Sequence, residues 1–142
     1  MDSAQGGFTL IELMVVVAVL AFLITIGLPA YQNYVIRTKV AEIMLFADSA
    51  RSNLSEYYLT SGHMPDSTEE ANINTSADQS EYIGSISFST TSNTATLTYT
   101  VSNLSVSGDI ALVGTASADG MRWSCSTPGT TLESVYLPQN CR

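Results

Sequence analysis

From Phe8 to Ala30 the chain runs almost without a break through apolar residues, about 23 of them, with one charge at Glu12 and Gly6-Gly7 just ahead. As an α-helix this run is roughly 35 Å long, enough to cross a hydrocarbon core of about 30 Å. Beyond it the pattern becomes one-sided. Val40, Ile43, Ala47, Ala50, Leu54 and Tyr57 recur at steps of three and four, with Arg37, Lys39, Glu42, Asp48, Arg51 and Glu56 around them. That spacing predicts an amphipathic helix needing a sheet to lie on. Thr60-Ser61-Gly62 followed by Pro65 is a stop signal, so one element of about 75–80 Å is expected from Phe8 to Leu59. Pro29, two residues after Gly27, removes an amide donor and crowds the carbonyl of Thr25. A helix break, as a kink or local melting, is therefore expected around Ala21 to Pro29, with Thr25 helping to satisfy freed backbone groups.

In the second half of the chain the period changes to two. Ala95, Leu97, Tyr99 and Val101 alternate with Thr94, Thr96, Thr98 and Thr100, the signature of a strand with one buried face. Tyr82 to Ser89 sets Ile86 and Phe88 on one side, and Thr91-Ser92-Asn93 supplies a turn. Ser107-Gly108-Asp109 and Asp119-Gly120 bound a third strand around Ile110 to Val113, and Met121 to Cys125 gives a fourth. Pro65 to Ser80 is polar, acidic and aperiodic, so it reads as a loop joining helix to sheet. The economical packing is two-layer α+β: one long N-terminal helix on a roughly four-stranded antiparallel sheet.

Composition narrows the function. The 142 residues allow one soluble domain plus the span. A net charge of −8 with only five Lys and Arg argues against a surface built to neutralise phosphates. No phosphate-cradling glycine loop, nucleophile elbow or zinc spacing is present, so neither an enzyme nor a cofactor is expected. Asp109, Asp119 and Glu133 match no compact calcium loop and read as turn and surface acids, and His63 as a loop residue. The two cysteines, 125 and 141, read as a disulfide in an exported chain.

Glu12 needs an explanation, because a carboxylate inside hydrocarbon is costly. A signal peptide does not fit: Met1 to Gly7 holds no Lys or Arg, and the apolar run is too long. A plain anchor does fit the length, with Glu12 in the first helical turns favoured by the macrodipole or snorkelling to the interface.

Gly7-Phe8-Thr9-Leu10-Ile11-Glu12-Leu13-Met14 resembles the N-terminus of type IV prepilins. Pro29-Ala30-Tyr31-Gln32-Asn33-Tyr34 is similar to the segment after the span in type IVa major pilins. Trp123-Ser124-Cys125 and Tyr136-Leu137-Pro138-Gln139-Asn140-Cys141-Arg142 resemble their closing disulfide region. The resemblance implies a leader over 1–7, a transmembrane and filament-core half over 8–30, and a periplasmic or extracellular head over 31–142. It implies cleavage between Gly7 and Phe8 by a prepilin peptidase and methylation of the Phe8 amine. It also implies an assembly-register role for Glu12 with Thr9, and unwinding near Gly27 and Pro29 on assembly. The expected partners are further copies in a helical filament, the inner-membrane assembly machinery, and a host or abiotic surface. DNA is left open, since no basic stripe is visible. The implied location is the inner membrane with the head in the periplasm, then an extracellular fibre for adhesion and twitching, with DNA uptake left open. Two other readings are a type II secretion pseudopilin and a minor tip pilin acting as adhesin or DNA-binding module. One departure stands out: Met1 to Gly7 carries Asp2 and no positive residue, whereas Arg37 and Lys39 follow the span, against the positive-inside rule.

Overall fold

The structure, a computed structural model, describes residues 7–125 and 128–142. Two compact units divide at Val35/Ile36. The helix α1, Leu10–Ser61, contributes to both. In the first unit its apolar side chains, from Leu10 through Leu28, stand exposed, and the helix is long and apolar enough to cross a membrane.

The second unit is built on the other half of α1. Ile36, Val40, Ile43, Met44, Ala47, Ala50 and Leu54 are buried, the one-faced stripe expected of an amphipathic helix. The helix ends where Gly62 adopts φ 75° and its N–H donates to the Tyr58 carbonyl at 2.9 Å. Only glycine takes that left-handed turn without a steric penalty. Against this face lies an antiparallel sheet in the order β1-β2-β3-β4: β1 Ile83–Thr90, β2 Thr94–Val101, β3 Asp109–Ser117 and β4 Gly120–Ser124. On β2, Ala95, Leu97, Tyr99 and Val101 are buried while the intervening threonines are half-exposed, so the strict alternation reports the buried face directly. The third strand is longer than its pattern indicates, because β4 pairs along Val113–Ser117 and extends the ladder to the turn.

Three features tie the layers. Trp123 lies across Gly114, where an added Cβ would sit 2.9 Å from the indole, and its Nε1 donates to Ser55 Oγ at 3.0 Å. The Arg51 guanidinium stands 5.5 Å from the centre of the Trp123 ring and pairs with Asp48 at 2.7 Å. From the connecting loop, Ser80 Oγ donates to Glu42 Oε1 at 2.6 Å. That loop is more than the solvated connector its composition implies. Met64, Ala71 and Ile73 are buried in the core, and Ala77–Gln79 forms a 3-10 turn. Two alanines and one isoleucine among polar residues carry no period, so sequence patterning cannot flag them.

The C-terminal segment completes the sheet. β4 faces only the second half of β3; beside the first half runs Thr130–Leu132. The amides of Thr131 and Leu132 donate to the Asp109 carbonyl at 2.9 and 3.2 Å. Thr130 Oγ1 accepts from the Ala111 amide at 3.0 Å, and Thr131 Oγ1 from that of Asp109 at 2.9 Å. Gly108, at φ 154°, permits this approach, since a Cβ there would lie 2.8 Å from the Leu132 backbone. The Cys125–Cys141 disulfide closes the segment with a Cα–Cα distance of 4.8 Å.

Candidate assembly site

The sequence-predicted site residues fall into two places. Gly7, Phe8, Thr9 and Glu12 gather at the start of α1; the other leader residues lie outside the described ones. Thr9 caps the helix. Its Oγ1 accepts from the Glu12 amide at 3.4 Å, while Glu12 Oε2 receives the Thr9 amide at 3.0 Å and the Thr9 hydroxyl at 2.7 Å. This is a reciprocal capping box, and it satisfies two helix-start amides. The Thr-x-x-Glu spacing ahead of an apolar run carries that signal in the sequence. Around the carboxylate stand Phe8, Ile11, Val15 and Val16, lining a shallow groove of about 420 Å³. Phe8 is 82% exposed, and among the described residues nothing lies within 4 Å of a Cβ built on Gly7. Gly7 is therefore sterically open among the described residues, and Glu12 is surrounded by apolar surface.

Gly27 and Pro29 lie inside α1, and the helix passes through both without a break. Local melting, one of the two expected forms of the helix break, is absent; a kink, the other, leaves the helix continuous. The Thr25 hydroxyl donates to the Ala21 carbonyl at 2.8 Å, so it does not satisfy the Thr25 carbonyl that Pro29 leaves without its amide donor. One lost hydrogen bond between apolar helix formers weakens the helix locally and does not end it.

Cys125 and Cys141 are joined as expected and buried, at 6% and 2% exposure. Elsewhere in the head, the Tyr99 hydroxyl is buried with no hydrogen-bond partner among the described residues. Burial pushes its pKa up to about 12, and the negative charge of Asp48 adds to the shift. His63 stands exposed with its ring edge-on to Tyr57 at 5.7 Å. Among the described residues no three His, Cys, Asp or Glu side chains converge as metal ligands. The site holds side chains suited to packing and charge pairing.

Comparison with known proteins completes the assignment. Residues 36–142 match the pilin family of bacterial filaments, and residues 2–28 match the prokaryotic N-terminal methylation motif. The chain belongs to the pilin family. This pilin is 31% identical to a fimbrial protein of Neisseria meningitidis, an alignment covering 100% of the chain and 96% of the relative. It is 34% identical to the fimbrial protein EcpC of Eikenella corrodens over 100% and 94%. It is 31% identical to the type IV major pilin protein PilE of Neisseria gonorrhoeae over 100% and 96%. Both the head and the N-terminal helix of the pilin are thus covered by these similarities.

Proposed function

We propose that this pilin is the structural subunit of a type IV pilus, polymerising through its N-terminal helix into an extracellular fibre. The observation that carries the reading is the bare apolar half of α1 with its single carboxylate, Glu12, beside Phe8. An exposed apolar surface of that extent needs lipid or copies of itself to cover it. The precursor waits in the inner membrane with its head in the periplasm. A prepilin peptidase cuts between Gly7 and Phe8, and the freed Phe8 amine is methylated.

Glu12 then sets the register. The Phe8 ammonium of a neighbouring copy meets the Glu12 carboxylate, so neither charge is left uncompensated in an apolar fibre interior. The Thr9 cap holds the carboxylate until that partner arrives. Inside the fibre the Thr25 carbonyl, which Pro29 deprives of its i+4 amide donor, is where α1 opens near Gly27 and Pro29. The subunit acts by packing and performs no chemistry of its own. The fibre serves adhesion and twitching.

Electron microscopy and mass spectrometry of filaments sheared from cells test this directly. The expected result is abundant fibres of a chain beginning at methylated Phe8, and fibre loss in Glu12→Ala cells whose membranes retain the protein. Fibres of a chain beginning at Met1, or a normal fibre count from Glu12→Ala cells, overturns it.

A further inference from the structure

The two edges of the sheet are finished differently. On one side β4 is five residues long, carries Arg122, and gives way to Thr130–Leu132 along β3. On the other, β1 presents eight residues, Ile-Gly-Ser-Ile-Ser-Phe-Ser-Thr, with no charge and no proline. Its inner side pairs with β2 from Ser85 to Thr90. Among the described residues no backbone hydrogen bond reaches its outer side between Gly84 and Thr90. Charges, prolines and bulges normally keep such an edge from templating another strand. Here only the register irregularity between Ile83 and Ser85 is present.

We propose that β1 is a pairing edge for β1 of a second copy, joining separate filaments side by side. The inference rests on the filament reading above. The strand is self-complementary: antiparallel pairing centred on Ser87 sets Ile86 opposite Phe88 and Ser85 opposite Ser89. A β-branched residue opposite an aromatic is among the favourable cross-strand pairs, and the serines on the other face exchange hydrogen bonds. Ile86 and Phe88 are only half-buried in the single chain, so a second strand covers what the helix leaves open. Charge selects the same segment. With a net charge of −8, copies repel, and this uncharged edge is where two of them approach at least electrostatic cost. The pairing is isologous, whereas copies along one helical filament meet through heterologous contacts. The β1–β1 pair therefore links different filaments.

The test is bundling of sheared wild-type and variant filaments, scored by electron microscopy and low-speed sedimentation between about 50 and 300 mM NaCl, where screening of like charges grows. Wild-type fibres are expected to bundle increasingly with salt. Ser87→Lys, at an exposed side chain on the edge, is expected to cut the bundled fraction at least about fivefold at unchanged fibre yield, as inward or edge lysines do in natural sheets. Ser89→Lys is the second edge variant should the first assemble poorly. Ser92→Lys makes the same charge change in the β1–β2 turn and is expected to bundle at least as well as wild type. Lysine lowers the net negative charge, so repulsion alone predicts more bundling in all three. Bundling of Ser87→Lys and Ser89→Lys at the wild-type level, an equal fall in Ser92→Lys, or single wild-type fibres at high salt overturns the pairing and leaves the filament reading standing. Absence of any wild-type fibre removes both.

Discussion

Cutting the Cys125–Cys141 bridge is the most informative perturbation of the head. The cysteines are 16 residues apart in sequence, and closing a loop of that size restricts the unfolded chain by about 3 kcal/mol on the chain-entropy account. What the bridge holds is the strip Thr130–Leu132, which finishes β3 through the amides of Thr131 and Leu132 and the hydroxyls of Thr130 and Thr131. Bonds of this kind contribute about 0.5–1.5 kcal/mol each, while ordering backbone costs about 1–2 kcal/mol per residue. Untethered, the strip loses most of its advantage. A Cys125→Ala/Cys141→Ala variant of the detergent-solubilised full chain is therefore expected to unfold earlier in urea. With a urea slope of about 1.5 kcal/mol/M, the midpoint falls by about 2 M. Trp123 is a suitable reporter, since it packs over Gly114 two residues before Cys125 and is the single tryptophan. Reduction of the wild-type disulfide should reproduce the shift without altering packing. A fall under about 0.5 M in both refutes the reasoning, because the non-covalent contacts would then hold the strip unaided.

Three further variants test the fold and the cap. Thr9→Val, which removes the hydroxyl from the cap but leaves the Glu12 carboxylate, should preserve fibres; their loss, as in Glu12→Ala, would mean the carboxylate serves only the cap. Gly108→Ala places a Cβ 2.8 Å from the Leu132 backbone and should cost about 1–3 kcal/mol in urea unfolding, whereas an unchanged midpoint contradicts the close approach. Tyr99→Phe deletes a buried hydroxyl without a partner among the described residues and should be neutral or up to about 1 kcal/mol more stable at pH 7. Because burial raises the Tyr99 pKa to about 12, the unfolded chain ionises first as pH rises above 10. Wild-type stability should therefore decline between pH 10 and 12 more steeply than that of Tyr99→Phe, and parallel profiles would exclude the effect.

Much of this architecture is legible in one dimension because its causes are periodic. The three-and-four spacing from Val40 to Leu54 specifies the buried helix face, and alternation from Thr94 to Val101 specifies the strand, since each repeat matches a backbone geometry. Gly62 and Pro65 mark the helix end through local sterics alone. At the N-terminus, Thr9 and Glu12 are three residues apart on one helical turn, so their mutual cap is written in the chain.

Other features depend on residues distant in sequence, and no local rule finds them. Ala71 and Ile73 enter the core because the loop folds back onto it. Thr130 and Thr131 become strand partners because Gly108 lets the chain approach β3. That β1 is an edge strand likewise appears only once strand order is known. The sequence by itself determined which segments are helix and strand and where the single acid of the apolar run sits, because those follow from nearest-neighbour geometry. Only tertiary structure decided which edges are covered, which polar groups are paired and how the chain end closes the sheet, because those depend on contacts across the fold.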